Sequence, residues 1–257
     1  MLFDANLFVG VDPSGGRKPF TYAALDHNGK LVALSGCEVE DVLAFLGGQP
    51  GVLMAVSSPP RPSKGLVRQD DVRQNLPPLR ISGRSLDMRL AEHQLRERGI
   101  NIAMTPARKE FCANWVQAGF DFYHRIEGMG FVPYPTPGAT HQWLETHPHA
   151  IFCALLGQLP LAKPTLEGRQ QRQLVLYEHG VGIRDPMEFF EEITRHKLLK
   201  GILPLDQIYT GEELDAIAAA YMAYLAGRHP ERIGKVGDAQ EGQIFLPVLE
   251  LKAKYSL

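Results

Sequence analysis

The sequence predicts a mixed α/β protein that opens with an antiparallel meander and ends in helices. Leu7, Phe8, Val9 and Val11 form a short apolar run closed by Asp12, and Pro13-Ser14-Gly15-Gly16 turns the chain. Such a run suits a strand buried on both faces. Thr21 to Leu25 and Lys30 to Ser35 read as two more strands, joined by the hairpin signal Asp26-His27-Asn28-Gly29. Longer stretches of helical periodicity fill the second half.

The remaining elements follow in order. Val39 to Gly47 has an apolar face of Val42, Leu43, Phe45 and Leu46, and predicts a short helix. Val52 to Val56 is a fourth strand, placed beside the first if the helix is a right-handed crossover. Residues 58–85 are rich in Pro and Arg and lack periodicity, which predicts a long irregular connection. Leu86 to Arg98 reads as a helix, Asn101 to Met104 as a strand and Phe111 to Met129 as a long amphipathic helix. His141 to Thr146 reads as a strand. His149 to Leu156, Leu166 to His179, Pro186 to Leu199 and Glu212 to Ala226 read as helices, the last opened by a capping box from Thr210 to Glu213. The tail has one short apolar piece, Ile244 to Leu251.

Composition narrows the function classes. A chain of 257 residues is one large domain or two small ones, long enough for a sizeable core, and is taken as a single domain. A net charge of -2 supplies no global field for a polyanion, so nucleic-acid binding requires a local patch. Residues 61–98 carry nine Lys or Arg against five Asp or Glu, an excess of four. That excess is either a basic wall for phosphates or a solvated arginine-rich surface. Cys37, Cys112 and Cys153 are odd in number and far apart, as expected of free thiols in a reducing compartment. No apolar run reaches membrane length and no secretory signal is recognisable, so the expected location is the cytoplasm.

Three acids stand in contexts that suggest chemistry. Asp12 closes a buried strand, where a carboxylate needs a cation or hydrogen-bond donors, or else simply opens the turn. Glu145 lies on a later strand, and Asp215 lies in the last long helix beside the stripe Leu214, Ile217, Ala218, Tyr221 and Leu225. Clustered carboxylates suit Mg²⁺ or Mn²⁺, and two such ions can drive phosphodiester cleavage. His147 and His149 invite a zinc reading, but Pro148 separates them and no third ligand is indicated. Arg169 and Arg172 are three apart near a helix start, as are Arg89 and Glu92 in another helix. Each pair is either a phosphate grip or a surface ion-pair element.

Five pieces, GVDPSGGRKPFTYAALD, LETHPHAIFCALLG, KPTLEGRQQRQLVL, ELDAIAAAYMAYLAGR and GDAQEGQIFLP, in this order resemble the domain-of-unknown-function family 429 of predicted RNase H-like nucleases. The resemblance implies an RNase H-like mixed five-stranded sheet, antiparallel meander first, flanked by helices, with additional C-terminal helices. It also implies a metal-dependent nuclease acting on nucleic acid, with Asp12, Glu145 and Asp215 as catalytic residues and ligands of Mg²⁺ or Mn²⁺. Arg169, Arg172 and Arg89 become candidate substrate contacts. Ser57 stands where the family resemblance calls for a further acid, and Glu92 is a candidate to replace it. Loss of that charge weakens a two-ion site, so a non-catalytic binding protein is the alternative. The glycine turn after Asp12 also looks like the first phosphate loop of sugar kinases and actin-like ATPases, although no second such loop follows.

Overall fold

The computed structural model describes residues 7–13, 19–77 and 87–257. Its strands are β1 (Leu7–Asp12), β2 (Phe20–Leu25), β3 (Leu31–Cys37), β4 (Val52–Val56), β5 (Val132–Pro133), β6 (His141–Thr146), β7 (Gly234–Asp238) and β8 (Gly242–Leu246). The helices are α1 (Val39–Gly47), α2 (Asp70–Arg73), α3 (Leu90–Glu97), α4 (Asn114–Gly128), α5 (Pro148–Leu156), α6 (Leu166–Glu178), α7 (Glu188–Leu199) and α8 (Gly211–Arg228).

The strands form one mixed sheet in the order β3-β2-β1-β4-β6-β8-β7, with β5 attached to β6. The meander β1–β2–β3 is antiparallel, while β4, β6 and β8 continue from β1 in parallel. The first four strands lie where the hydrophobic runs predict, and β4 pairs with β1 as a crossover through α1 requires.

Among the described residues the sheet has eight strands rather than five. The tail is a hairpin, β7 antiparallel to β8, that extends the sheet beyond β6. Asn101 to Met104 forms no strand. The Ile102 carbonyl instead accepts a hydrogen bond from Arg96 Nε at 2.9 Å. The segment at 58–85 contains only a 3₁₀ turn at Leu66–Arg68 and the single-turn helix α2 among its described residues. The expected start of α3 at Leu86 and the glycines of the first turn lie outside the described residues, and within them α3 begins at Leu90.

Alternation along each strand sends side chains to two layers. Val9, Val11, Met54, Val56 and Trp143 pack with α1 and α4. Phe8, Leu53, Ala55 and Leu144 pack with α5, α6 and α8. Helix α8 begins with the predicted capping box: Glu213 N donates to Thr210 Oγ1 at 3.2 Å and Thr210 N to Glu213 Oε2 at 2.8 Å. Small residues at Ala216, Ala219 and Ala220 let this helix lie directly on β1. Gly10 completes the contact, since a Cβ there would stand 2.0 Å from Ala216 O and 2.2 Å from Ala220 N.

Gly10→Ala forces these backbones apart, and overpacking of this kind costs about 1–3 kcal/mol or more. A lowered urea midpoint with an unchanged m-value is the expected result; an unchanged midpoint contradicts the close approach.

Candidate functional site

The carboxyl ends of β1 and β4 meet the first turns of α8. Asp12 shares the α8-facing side of β1 with Phe8 and Gly10, and is buried. Ser57 N donates to Val11 O at 2.9 Å, which holds the chain after β4 against the end of β1. The Ser57 hydroxyl then donates to Asp12 Oδ1. Asp215 lies on the first turns of α8, and Lys163, from the α5–α6 connection, donates to Asp215 Oδ2.

Burial pushes the Asp12 carboxyl up from 3.8 to about 7, and the negative charge of Asp215 adds to the rise. The Ser57 hydrogen bond and Lys163 pull the other way, and Glu212 contributes more negative charge. Asp215 is also pushed up by burial, against the pull of Lys163. Burial works against the charge on Lys163, but Asp215 outweighs it and raises the ammonium pKa. A cleft of about 370 Å³ opens beside this group, lined by Lys163, Pro164, Arg169, Thr210, Gly211 and Glu212. Lys163 has no signature in the sequence beyond its place in the KPTLEG piece, and its role emerges only from the fold.

Glu145 does not join Asp12 and Asp215. It shares its sheet face with Trp143, two residues earlier, and that face packs on α4. Arg89 binds it in a fork, Nη1 to Oε2 at 2.8 Å and Nη2 to Oε1 at 2.5 Å. The same guanidinium donates Nε to Glu92 Oε1 at 2.8 Å. The second oxygen of Glu92 accepts Thr105 N at 2.7 Å and Arg89 N at 3.2 Å. All three side chains are buried. Burial works against the charge of Arg89, yet Glu145 and Glu92 outweigh it and raise its pKa. Burial raises the Glu145 pKa against the pull of Arg89. Gly242 closes over this triad, where a Cβ would stand 2.9 Å from Glu145 Oε2 and 3.0 Å from Arg89 Nη1.

Four expected placements change. Arg89 is enclosed and its donors are taken by carboxylates, so it offers no surface grip for a substrate. Glu92 serves that arginine and does not stand in for the acid absent at Ser57. Glu145 is neutralised by the same arginine on the other face of the sheet. Arg172 turns inward, donating Nη1 to Leu161 O and Gly168 O, both at 2.8 Å, with its guanidinium 5.4 Å from the Phe152 ring centre. Arg169, three residues earlier, lines the cleft.

Three further cations of the basic stretch make internal contacts: Arg96 bonds Ile102 O, Arg98 bonds Glu97 and Arg68 pairs with Asp87. Glu241 has no signature in the sequence beyond its place in the GDAQEGQIFLP piece, and its role emerges only from the fold. Its carboxylate accepts Ser63 Oγ at 3.1 Å and the backbone N–H groups of Lys64, Leu66 and Leu90 at 2.8, 3.1 and 2.8 Å, tying the long connection to the β7–β8 turn.

Among the described residues, no group of three or more His, Cys, Asp or Glu is placed to hold a metal ion. No described helix is long and apolar enough to cross a membrane. The family model described as Protein of unknown function (DUF429) matches residues 10–240. The chain belongs to this family. No curated protein and no solved structure matches it. The DUF429 match spans both carboxylate clusters, from β1 through β6 to α8.

The Asp12 shift sets a pH dependence for this DUF429 protein. The unfolded carboxyl releases its proton near 3.8 and the folded one near 7, so the folded state holds the extra proton between them. Stability is fully present below the lower value and is lost as pH rises through the upper one. Asp12→Asn removes this titration. In cation-free buffer the variant is expected to match the natural chain near pH 4 and to exceed it by about 2–4 kcal/mol near pH 8. Equal urea midpoints at both values contradict the raised proton affinity.

Proposed function

We propose that the protein is a metal-dependent phosphodiesterase of the RNase H-like kind, acting on nucleic acid through Asp12 and Asp215. The observation that carries this reading is the convergence of buried Asp12 and half-buried Asp215 at the end of β1, with Asp12 pushed up to about 7. Repulsion between such groups is relieved by a divalent cation, and an all-oxygen donor set suits Mg²⁺ or Mn²⁺. The strand order supports the same reading: a meander first, two parallel strands continuing from β1, and an acid closing β1.

The donors fit one ion rather than two. Asp12 and Asp215 would hold it, with Ser57 contributing at most a neutral hydroxyl. Glu145 is spent on Arg89. Bound there, the ion would supply Lewis acidity to a phosphoryl oxygen. Ser57 orients Asp12 through its hydrogen bond. Lys163, once released from Asp215, presents its ammonium at the cleft to a phosphate. Arg169 lines that cleft, which makes it a candidate grip on a neighbouring phosphate.

A second reading, a binding protein without turnover, is favoured by one observation. Lys163 already pairs with Asp215 and Ser57 with Asp12, so both acids are partly satisfied without a metal ion.

The test combines metal binding with cleavage. Mn²⁺ is expected to raise the melting temperature of the natural chain and to support slow hydrolysis of single- or double-stranded nucleic acid. Ser57→Asp adds a ligand charge and should tighten Mn²⁺ roughly tenfold, with faster cleavage. Asp215→Asn should remove both the thermal shift and the cleavage. Metal binding without hydrolysis in either active-site form favours the binding protein. Neither metal binding nor hydrolysis overturns the metal-dependent reading.

A further inference from the structure

Lys163 belongs to two features at once. Its ammonium donates to Asp215 and acts electrostatically on Asp12, so a cation already stands at the acid pair. The same side chain lines the 370 Å³ cleft, together with Arg169. About 39 % of the Lys163 side chain is exposed, against 15 % for that of Asp215. A lysine stem has four flexible bonds, so the ammonium reaches the cleft by rotation of its own side chain.

The path of that stem is built into the fold. A Cβ at position 211 would stand 2.6 Å from Lys163 Cε and 3.2 Å from its Cγ. Gly211 is the first residue of α8, and its φ lies outside the left-handed region. The missing side chain therefore serves space and not turn geometry. The bare start of α8 is a channel for the lysine stem, and it leads to Asp215, four residues or one helical turn further on.

A divalent cation and this ammonium compete for the same carboxylate. Two positive charges a few ångströms apart repel, so binding of the ion requires the ammonium to leave. An anion in the cleft gives it a new partner. A ligand shifts such an equilibrium only by what it gains in one state over the other. A phosphate group gains the full Lys163 charge only after that charge has left Asp215. Glu212 is the one acid lining the cleft, against the two cations Lys163 and Arg169.

We infer that Lys163 is an internal counter-cation that occupies the ion's place at Asp215 until a phosphodiester group draws it into the cleft. This rests on the cation site proposed for Asp12 and Asp215 and adds its regulation. Without a phosphate ligand the chain holds a divalent ion weakly. With one, ion and phosphodiester tighten each other by the same factor, as linkage requires.

Mn²⁺ binding to the full chain, read from the free-ion paramagnetic resonance signal with and without dimethyl phosphate, tests the coupling without any cleavage. Saturating dimethyl phosphate is expected to tighten Mn²⁺ on the natural chain about tenfold, an ordinary coupling. Lys163→Met should bind Mn²⁺ that tightly with no phosphodiester present, and dimethyl phosphate should then add nothing. Gly211→Ala keeps the ammonium but crowds its stem, and should also tighten Mn²⁺ in the absence of dimethyl phosphate. This second variant decides the matter if Lys163→Met does not fold. Mn²⁺ binding that is unchanged or weaker in the variants, or unaffected by dimethyl phosphate in the natural chain, overturns the inference and leaves the cation site standing. No Mn²⁺ binding in any form overturns both.

Discussion

The contact between the bare backbone of Gly10 and the small-residue face of α8 sets the geometry on which the rest depends. With no Cβ at position 10, the backbone of the helix rests on the backbone of the strand. Asp12, two residues further on the same side of β1, is then held near Asp215 on the first turns of α8. A bulkier residue at 10 would lift the helix and separate the two carboxyl groups. The pair is therefore a product of core packing, and the chemistry of the site is inherited from a steric fit in the layer beneath it.

The same edge of the sheet deals with buried negative charge in two ways. On the α4 face, Arg89 meets Glu145 in a fork and Glu92 through Nε, so the guanidinium is saturated and the cluster is closed by Gly242. A buried group of this kind is a structural brace: removing one partner strands the others, typically at about 3–5 kcal/mol. On the α8 face, the Lys163 ammonium acts on both carboxyl groups and the Arg172 guanidinium on Asp215, with Glu212 adding a further negative charge nearby. Burial, with the negative charge of Asp215 added to it, leaves Asp12 with a proton affinity near neutrality beside an open cleft. Perturbed groups beside open space are where function concentrates, which separates the second cluster from the first.

Much of this was legible in the chain. The apolar runs placed β1 and β4 to the residue or nearly so, because buried parallel strands leave little room for polar interruption. Thr210 and Glu213 announced the start of α8. Asp12 and Asp215 were singled out by strand position and family resemblance. Glu145 was singled out too, but the parity that turns it to the other face depends on β6 register, and its partner lies 56 residues away. The i, i+3 spacing of Arg89 and Glu92 is the same for a surface pair and a buried one, so burial was invisible. Strand β7, GKVGD, has one apolar side chain and two glycines, and only pairing with β8 makes it a strand. Asn101 to Met104 has strand composition, but Arg96 captures the Ile102 carbonyl and no ladder forms.

Where a divalent cation binds distinguishes a reactive carboxyl pair from a structural one most directly. Anomalous diffraction from crystals of the natural protein grown or soaked with Mn²⁺ provides that measurement. One peak between Asp12 and Asp215, with Lys163 withdrawn from Asp215 and no peak near Glu145, is the expected result. A peak at Glu145 with Arg89 displaced, or no peak beside Asp12 and Asp215, contradicts the division of the acids into a metal-binding pair and an arginine-bound brace.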